Sequence, residues 1–224
     1  MANINDNTVK GYDQLIASNE RSFIGDKNAP LKILIIGNSI TRHGPKPEIG
    51  WPYDWGMAAS CEENDYVHKF VAKLNENNIN AYVMVRQGWW WERHYLDEDV
   101  LDHFDQEHDF NADIVVFRLG ENVPKENREY CYDKLKVFAP YLCPNGKIIF
   151  TTCFWRAEIT DDAIRRIAKE RNEICIDECF SDDESNMALG KFEHRGVAMH
   201  PSDKGMEAIA SAVFEKVKIL LDQA

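Results

Sequence analysis

The stretch Leu31-Lys32-Ile33-Leu34-Ile35-Ile36 constrains this chain more than any other. Apart from Lys32 it offers no polar position, so neither face of a strand built from it can meet water. A strand buried on both faces belongs inside a parallel sheet with helices above and below. The run stops at Gly37-Asn38-Ser39. Glycine lets the chain leave the strand sharply, and Asn and Ser tolerate the dihedrals that follow. A serine at such a corner lies beyond the carboxyl end of a central strand, where open α/β sheets bind their ligands. The plainer alternative is a strand that ends at a polar turn.

The rest of the 224-residue chain repeats the alternation. Apolar runs at 81–85, 112–119, 147–152 and 174–176 read as four further strands. Between them Val67, Phe70, Val71 and Leu74 fall at helical spacing, as do Leu135 and Phe138, Ile164 and Ile167, and Met206, Ile209, Val213 and Val217. Five strands alternating with helices predict an α/β domain built on a doubly wound parallel sheet. One domain over 1–224 is expected: a polar N-terminal extension over 1–30 and a core over 31–224. Tyr12, Leu15 and Ile16 suggest a leading helix on the sheet edge. From Thr41 to Tyr66 the prolines and glycines predict a shaped loop, with a short helix over 55–60. A polar loop is expected over 178–199.

Charge and composition remove several classes of function. The net charge is −12 and no basic cluster exceeds a pair such as Arg165-Arg166, which argues against nucleic acid or an anionic membrane as partner. No apolar run approaches a membrane span. The N-terminus shows no leader, so a cytoplasmic protein is expected, although a chain trimmed of its leader would read the same way. Six cysteines lie scattered without a CxxC pair. They read as free thiols, with Cys175 and Cys179 too isolated for a metal site. The histidines show no HExxH spacing, so neither metal nor cofactor is expected. The sequence leaves the oligomeric state open.

Three predicted strands end in small or polar residues: Gly37-Asn38-Ser39, Gln87-Gly88 and Gly120-Glu121-Asn122. In a parallel sheet these ends share one edge. A serine hydroxyl, the backbone N–H groups of Ser39 and Gly88, and the Asn122 side-chain amide can therefore converge. Ester cleavage requires such a set, a nucleophile and donors for the developing oxyanion. His200, just ahead of the last helix, can supply the base.

These blocks resemble the SGNH (GDSL-like) hydrolase superfamily. Gly37-Asn38-Ser39-Ile40 matches its first block, with Asn38 where Asp is commoner. Gly88 matches the second block, Gly120-Glu121-Asn122 the third, and His200-Pro201 the last. The resemblance implies a three-layer α/β/α, flavodoxin-like fold whose five-stranded parallel sheet has the order 2-1-3-4-5, with Ser39 as nucleophile, His200 as base, and Ser39, Gly88 and Asn122 as oxyanion donors. One position departs. The family usually has an aspartate three residues before the histidine, to hold the imidazole tautomer. Here that residue is Val197. Glu193, seven residues ahead of the histidine, reaches it only if the loop folds back. A backbone carbonyl is the favoured orienter, and Asp203 is expected to cap the final helix.

Trp51, Trp55, Trp89, Trp90 and Trp155 are candidates for lining the substrate pocket, since three consecutive tryptophans at 89–91 cannot all face a core. The leading expectation is a serine esterase for small acyl esters, acetyl first, on a carbohydrate or another small molecule. The competing expectation is a non-catalytic binding module that kept the pocket and lost the orienting acid. A mononucleotide binder is disfavoured, because Arg42-His43-Gly44-Pro45-Lys46-Pro47 does not look like a phosphate loop.

Overall fold

The computed structural model describes residues 20–177 and 180–223, so the helix expected around Tyr12, Leu15 and Ile16 lies outside the described residues. Six strands form one sheet: β1 Arg21–Ile24, β2 Leu31–Gly37, β3 Ala81–Gln87, β4 Ile114–Arg118, β5 Lys147–Thr151 and β6 Ile174–Ile176. Their order across the sheet is β1-β3-β2-β4-β5-β6. Strands β2 to β6 pair in parallel, whereas β1 runs antiparallel to β3, with Arg21 opposite Arg86 and Ile24 opposite Val83. The expected five-stranded, all-parallel sheet is thus corrected to a mixed, six-stranded one. The extra strand comes from the segment read as a polar extension. It is an edge strand with one neighbour and only partial burial, so it lacks an apolar run.

Among the described residues seven α-helices follow in chain order: α1 Tyr66–Glu76, α2 Trp89–His94, α3 Asp105–Phe110, α4 Cys131–Leu142, α5 Glu158–Arg171, α6 Arg195–Ala198 and α7 Asp203–Asp222. Alternation along the strands divides the core in two. Leu34, Ile36, Val115, Phe117, Ile148 and Phe150 face α2 to α5, where Trp91, Phe104, Phe138 and Ile164 meet them. Ile33, Ile35, Val83, Val85, Val116 and Ile149 face α1 and α7, against Phe70, Leu74, Met206 and Val213. Residues 33–36 are fully buried, as a strand with helices on both sides requires.

Two helical details differ from the sequence reading, the segment 55–60 and the cap of the last helix. No helix forms over 55–60; short 3-10 turns at Pro47–Ile49 and Glu62–Asn64 take its place. Helix α5 starts at Glu158, and Asp161 lies inside it, where its carboxylate accepts from the N–H groups of Cys153 and Ala157. The cap of α7 is Ser202, not Asp203. Asp203 instead accepts from Ser60 N–H at 2.9 Å and Ser60 Oγ–H at 2.7 Å, tying the loop after β2 to the last helix.

Candidate active site

Ser39 follows β2 directly, and the corner holds because Gly37 has no side chain. A Cβ there would come within 1.9 Å of Thr41 Oγ1. The Asn38 carbonyl accepts from the N–H groups of Thr41 and Arg42, and its side-chain oxygen accepts from Ile40 N–H, which closes the turn around the serine. The Ser39 carbonyl accepts from Met57 N–H at 2.9 Å, anchoring the long loop over the corner. The Ser39 N–H itself has no hydrogen bond among the described residues. It is an open donor beside the hydroxyl.

His200 meets Ser39 from the far end of the chain, with Nε2 2.8 Å from Ser39 Oγ. Its Nδ1 lies 2.7 Å from the Gly196 carbonyl oxygen in α6. A carbonyl only accepts, so Nδ1 carries the proton and Nε2 presents a bare lone pair to the serine hydroxyl. The loop is braced by Ala188 N–H donating to the His200 carbonyl and Ser202 N–H to that of Asn186. Trp155 Nε1–H donates to the Met199 carbonyl, and its ring stands edge-on to the imidazole at 5.1 Å. Burial lowers the His200 pKa to about 3, opposed by the Gly196 carbonyl and assisted by His43, Arg118 and His194. The imidazole is therefore neutral over the ordinary pH range.

Glu193 is exposed and makes no bond to His200. Val197 is fully buried in a small apolar cluster with Ile49, Trp51 and Met57. Among the described residues no carboxylate stands behind the imidazole; a main-chain oxygen does.

Asn122 lies just past β4 and its amide is fixed by Glu92 of α2. Glu92 is fully buried. Its Oε2 accepts from Asn122 Nδ2–H at 2.8 Å, and its Oε1 accepts from Gly120 N–H at 2.7 Å, Asn122 N–H at 3.2 Å and Asn38 Nδ2–H at 3.2 Å. The same Asn38 amide donates to Glu121 Oε2 at 2.6 Å, and Glu121 Oε1 lies 3.2 Å from Arg118 Nη1 and accepts from Phe154 N–H. Burial first, then the charge of Glu121, pushes the Glu92 carboxyl up to about 7. Asn38 explains why an amide stands where Asp is commoner. It bridges two carboxylates, and a third acid there would repel both.

Gly88 does not fit its expected role. Its N–H donates to the Gly37 carbonyl at 2.6 Å, continuing the β2–β3 ladder, so it is not open to an oxyanion. The tryptophans divide. Trp51 is fully buried, with Nε1–H donating to the His43 carbonyl, and is core rather than pocket wall. Trp91, between Trp90 and Glu92, stacks on Phe138 in the core. Trp90 packs on His94 at 3.9 Å, and Trp55 stacks with Tyr53 at 4.3 Å. Trp55, Trp89, Trp90 and Trp155 are half-buried, and of the candidates only Trp155 has a ring contact with His200 among the described residues.

Glu92, Glu121, Arg118, His43 and His194 escaped the sequence reading. A glutamate between Trp91 and Tyr95, which are both buried, was the available signal. A cavity of about 420 Å³ lies against Thr41, Arg42, Asp54 and His68, and Ser39 is not among its lining residues. Among the described residues no cluster of His, Cys, Asp and Glu could hold a metal ion. Burial pushes the Cys131 and Cys143 thiols up to about 12 and 11, which leaves both inert as nucleophiles.

A serine at the end of the central strand, a histidine ahead of the last helix and an asparagine past the next strand occupy one sheet edge. Solved structures share the architecture. The fold is that of the SGNH (GDSL-like) hydrolases. A protein assigned as a GDSL-like lipase from Parabacteroides merdae superposes with TM-score 0.57 at 17% identity, over 85% of this chain and 96% of its own. The psychrotrophic esterase EstA from Pseudoalteromonas sp. does so with TM-score 0.53 at 13% identity, over 85% and 98%. A family two carbohydrate esterase from Cellvibrio japonicus gives 0.53 at 16%, over 87% of this chain and 62% of that one. No family model matches the sequence, and no curated protein does. The likeness to SGNH hydrolases is thus one of fold.

Proposed function

We propose that the chain is a serine esterase for small acyl esters, acetyl first, borne by a carbohydrate or similar alcohol. The observation that supports it most is the relay Ser39 Oγ to His200 Nε2 at 2.8 Å, with Nδ1 held by the Gly196 carbonyl at 2.7 Å. Ser39 Oγ attacks the ester carbonyl while Nε2 takes its proton. The oxyanion that forms is met by the Ser39 N–H and by the Nδ2–H of Asn122 not committed to Glu92. His200 then protonates the departing alcohol, and water, activated by the same imidazole, releases the acid. The carbonyl orienter sets the tautomer but supplies a dipole where a carboxylate would supply a full charge, so it stabilises the imidazolium less.

The carbohydrate assignment is supported by similar folds described as a carbohydrate esterase and as an esterase active on acetylated mannans. A non-catalytic binding module is the second reading, favoured by one observation: no carboxylate reaches His200 among the described residues. One experiment separates the two. A fluorophosphonate probe and an acyl-ester series from acetyl upward are applied to wild type and Ser39→Ala. A single adduct mapped to Ser39, with turnover highest on acetyl esters and absent in Ser39→Ala, is expected. Labelling that persists unchanged in Ser39→Ala overturns the assignment.

A further inference from the structure

Glu92 touches the two strand ends that carry Ser39 and Asn122, through Asn38 after β2 and Gly120 after β4. Its four accepted hydrogen bonds come from Gly120, Asn122 and Asn38, and none comes from solvent. A buried carboxylate with four N–H donors aimed at it is more than a filler of space. It dictates which end of each neighbouring amide faces it. With Nδ2 of Asn122 turned toward Glu92, the second N–H on that nitrogen has no hydrogen bond among the described residues.

We propose, resting on the esterase reading above, that Glu92 is a positioning residue that holds the Asn122 amide in its oxyanion-donating orientation, and that it does so only as a carboxylate. Protonation at Oε2 would set an O–H against an N–H. The Asn122 bond then breaks, or the amide turns its oxygen inward and presents the wrong polarity to the oxyanion. The surroundings make that protonation accessible. Burial first, and then the charge of the nearby Glu121, raise the pKa of Glu92. The other groups facing it do not offset this. Arg118 of β4 is matched to Glu121, and Cys131 of α4 and Cys153 beyond β5 are thiols whose pKa burial raises. His200 does not titrate in this range, so a fall in reactivity near neutral pH would originate in the oxyanion donor rather than in the base.

The test reads the second-order rate of Ser39 labelling by a fluorophosphonate, whose P–O oxygen needs the same donors, from about pH 5 to 9. Wild type, Glu92→Gln, Asn122→Ala and the double variant are compared, with melting temperatures alongside. Wild type should show a rise in rate through neutrality. Glu92→Gln should label about 10- to 100-fold more slowly and without that step. The double variant should match Asn122→Ala alone, since Glu92 acts through Asn122. A purely structural role would lower the melting temperature and leave the pH step in place, which overturns the proposal. So does Glu92→Gln labelling at the wild-type rate, or additive losses in the double variant. If Glu92→Gln does not fold, the wild-type and Asn122→Ala profiles decide: the step must be present in the first and absent from the second. Wild type that never labels would instead refute the esterase reading on which this one stands.

Discussion

Acidification should destabilise this protein through one histidine, and the size of the effect can be worked out. In the unfolded chain His200 titrates near 6.5, whereas in the fold its pKa lies near 3. Between those values the unfolded state binds a proton that the folded state refuses, so stability is complete above about pH 6.5 and is lost as pH falls toward 3. Between about pH 8 and pH 4.5 the imidazole should remove at most about 2.7 kcal/mol, two pH units at roughly 1.36 kcal/mol each. Glu92 works in the opposite direction. Its raised pKa means the folded state takes up the proton first, so this group adds stability as pH falls through its folded value. The two are separated by comparing wild type with His200→Gln, which retains Glu92. Urea unfolding at both pH values gives the four free energies. Wild type should lose about 2 kcal/mol more than the variant over the interval. Parallel losses, within about 0.5 kcal/mol, would refute the view that His200 is held neutral by burial without a carboxylate behind it.

Four further substitutions have outcomes set by the geometry. Asn122→Ala should lower kcat by about two orders of magnitude with little change in KM, because the donor acts on charge present only in the transition state; an effect confined to KM would make it a substrate contact. Glu193→Gln should leave kcat/KM within about 3-fold of wild type, whereas Val197→Asp should destabilise by several kcal/mol and restore no rate, since that side chain points among Trp51, Met57 and Ile49 rather than at the imidazole; thermal melts and kinetics check both. Gly37→Ala should lower the melting temperature and abolish probe labelling, because its Cβ would displace Thr41 from its 2.7 Å bond with the Tyr66 hydroxyl.

What could be read from the sequence was whatever rests on periodicity and on element ends. Residues 33–36 announced a central strand, and the Ser39, Asn122 and His200 corners sit where strands and helices stop. Strand β1 was illegible because four half-exposed residues at an edge bury too little to need a pattern. Gly88 misled because its sequence cannot say where its N–H goes, and the ladder with Gly37 takes it. Trp51 misled because a tryptophan in a shaped loop past a strand end reads as a pocket wall, yet the bridges His43 to Trp55 and Lys46 to Trp51 fold that loop back on its own core. Glu92 was hidden by its tryptophan neighbours. A buried acid looks like a surface acid until its donors, supplied by residues 28 and 54 positions away, are known.

The tether from Asp203 to Ser60 and the 161-residue separation of Ser39 from His200 also bear on the order in which the site assembles. Ser39 and Asn122 follow β2 and β4, which pair directly with each other, whereas His200 and α7 join them from far along the chain. Contacts that span so much chain close late, after the loop-closure cost has been met by the sheet. A partly folded chain would therefore hold the serine corner and the asparagine side by side while the imidazole that faces them was still undocked.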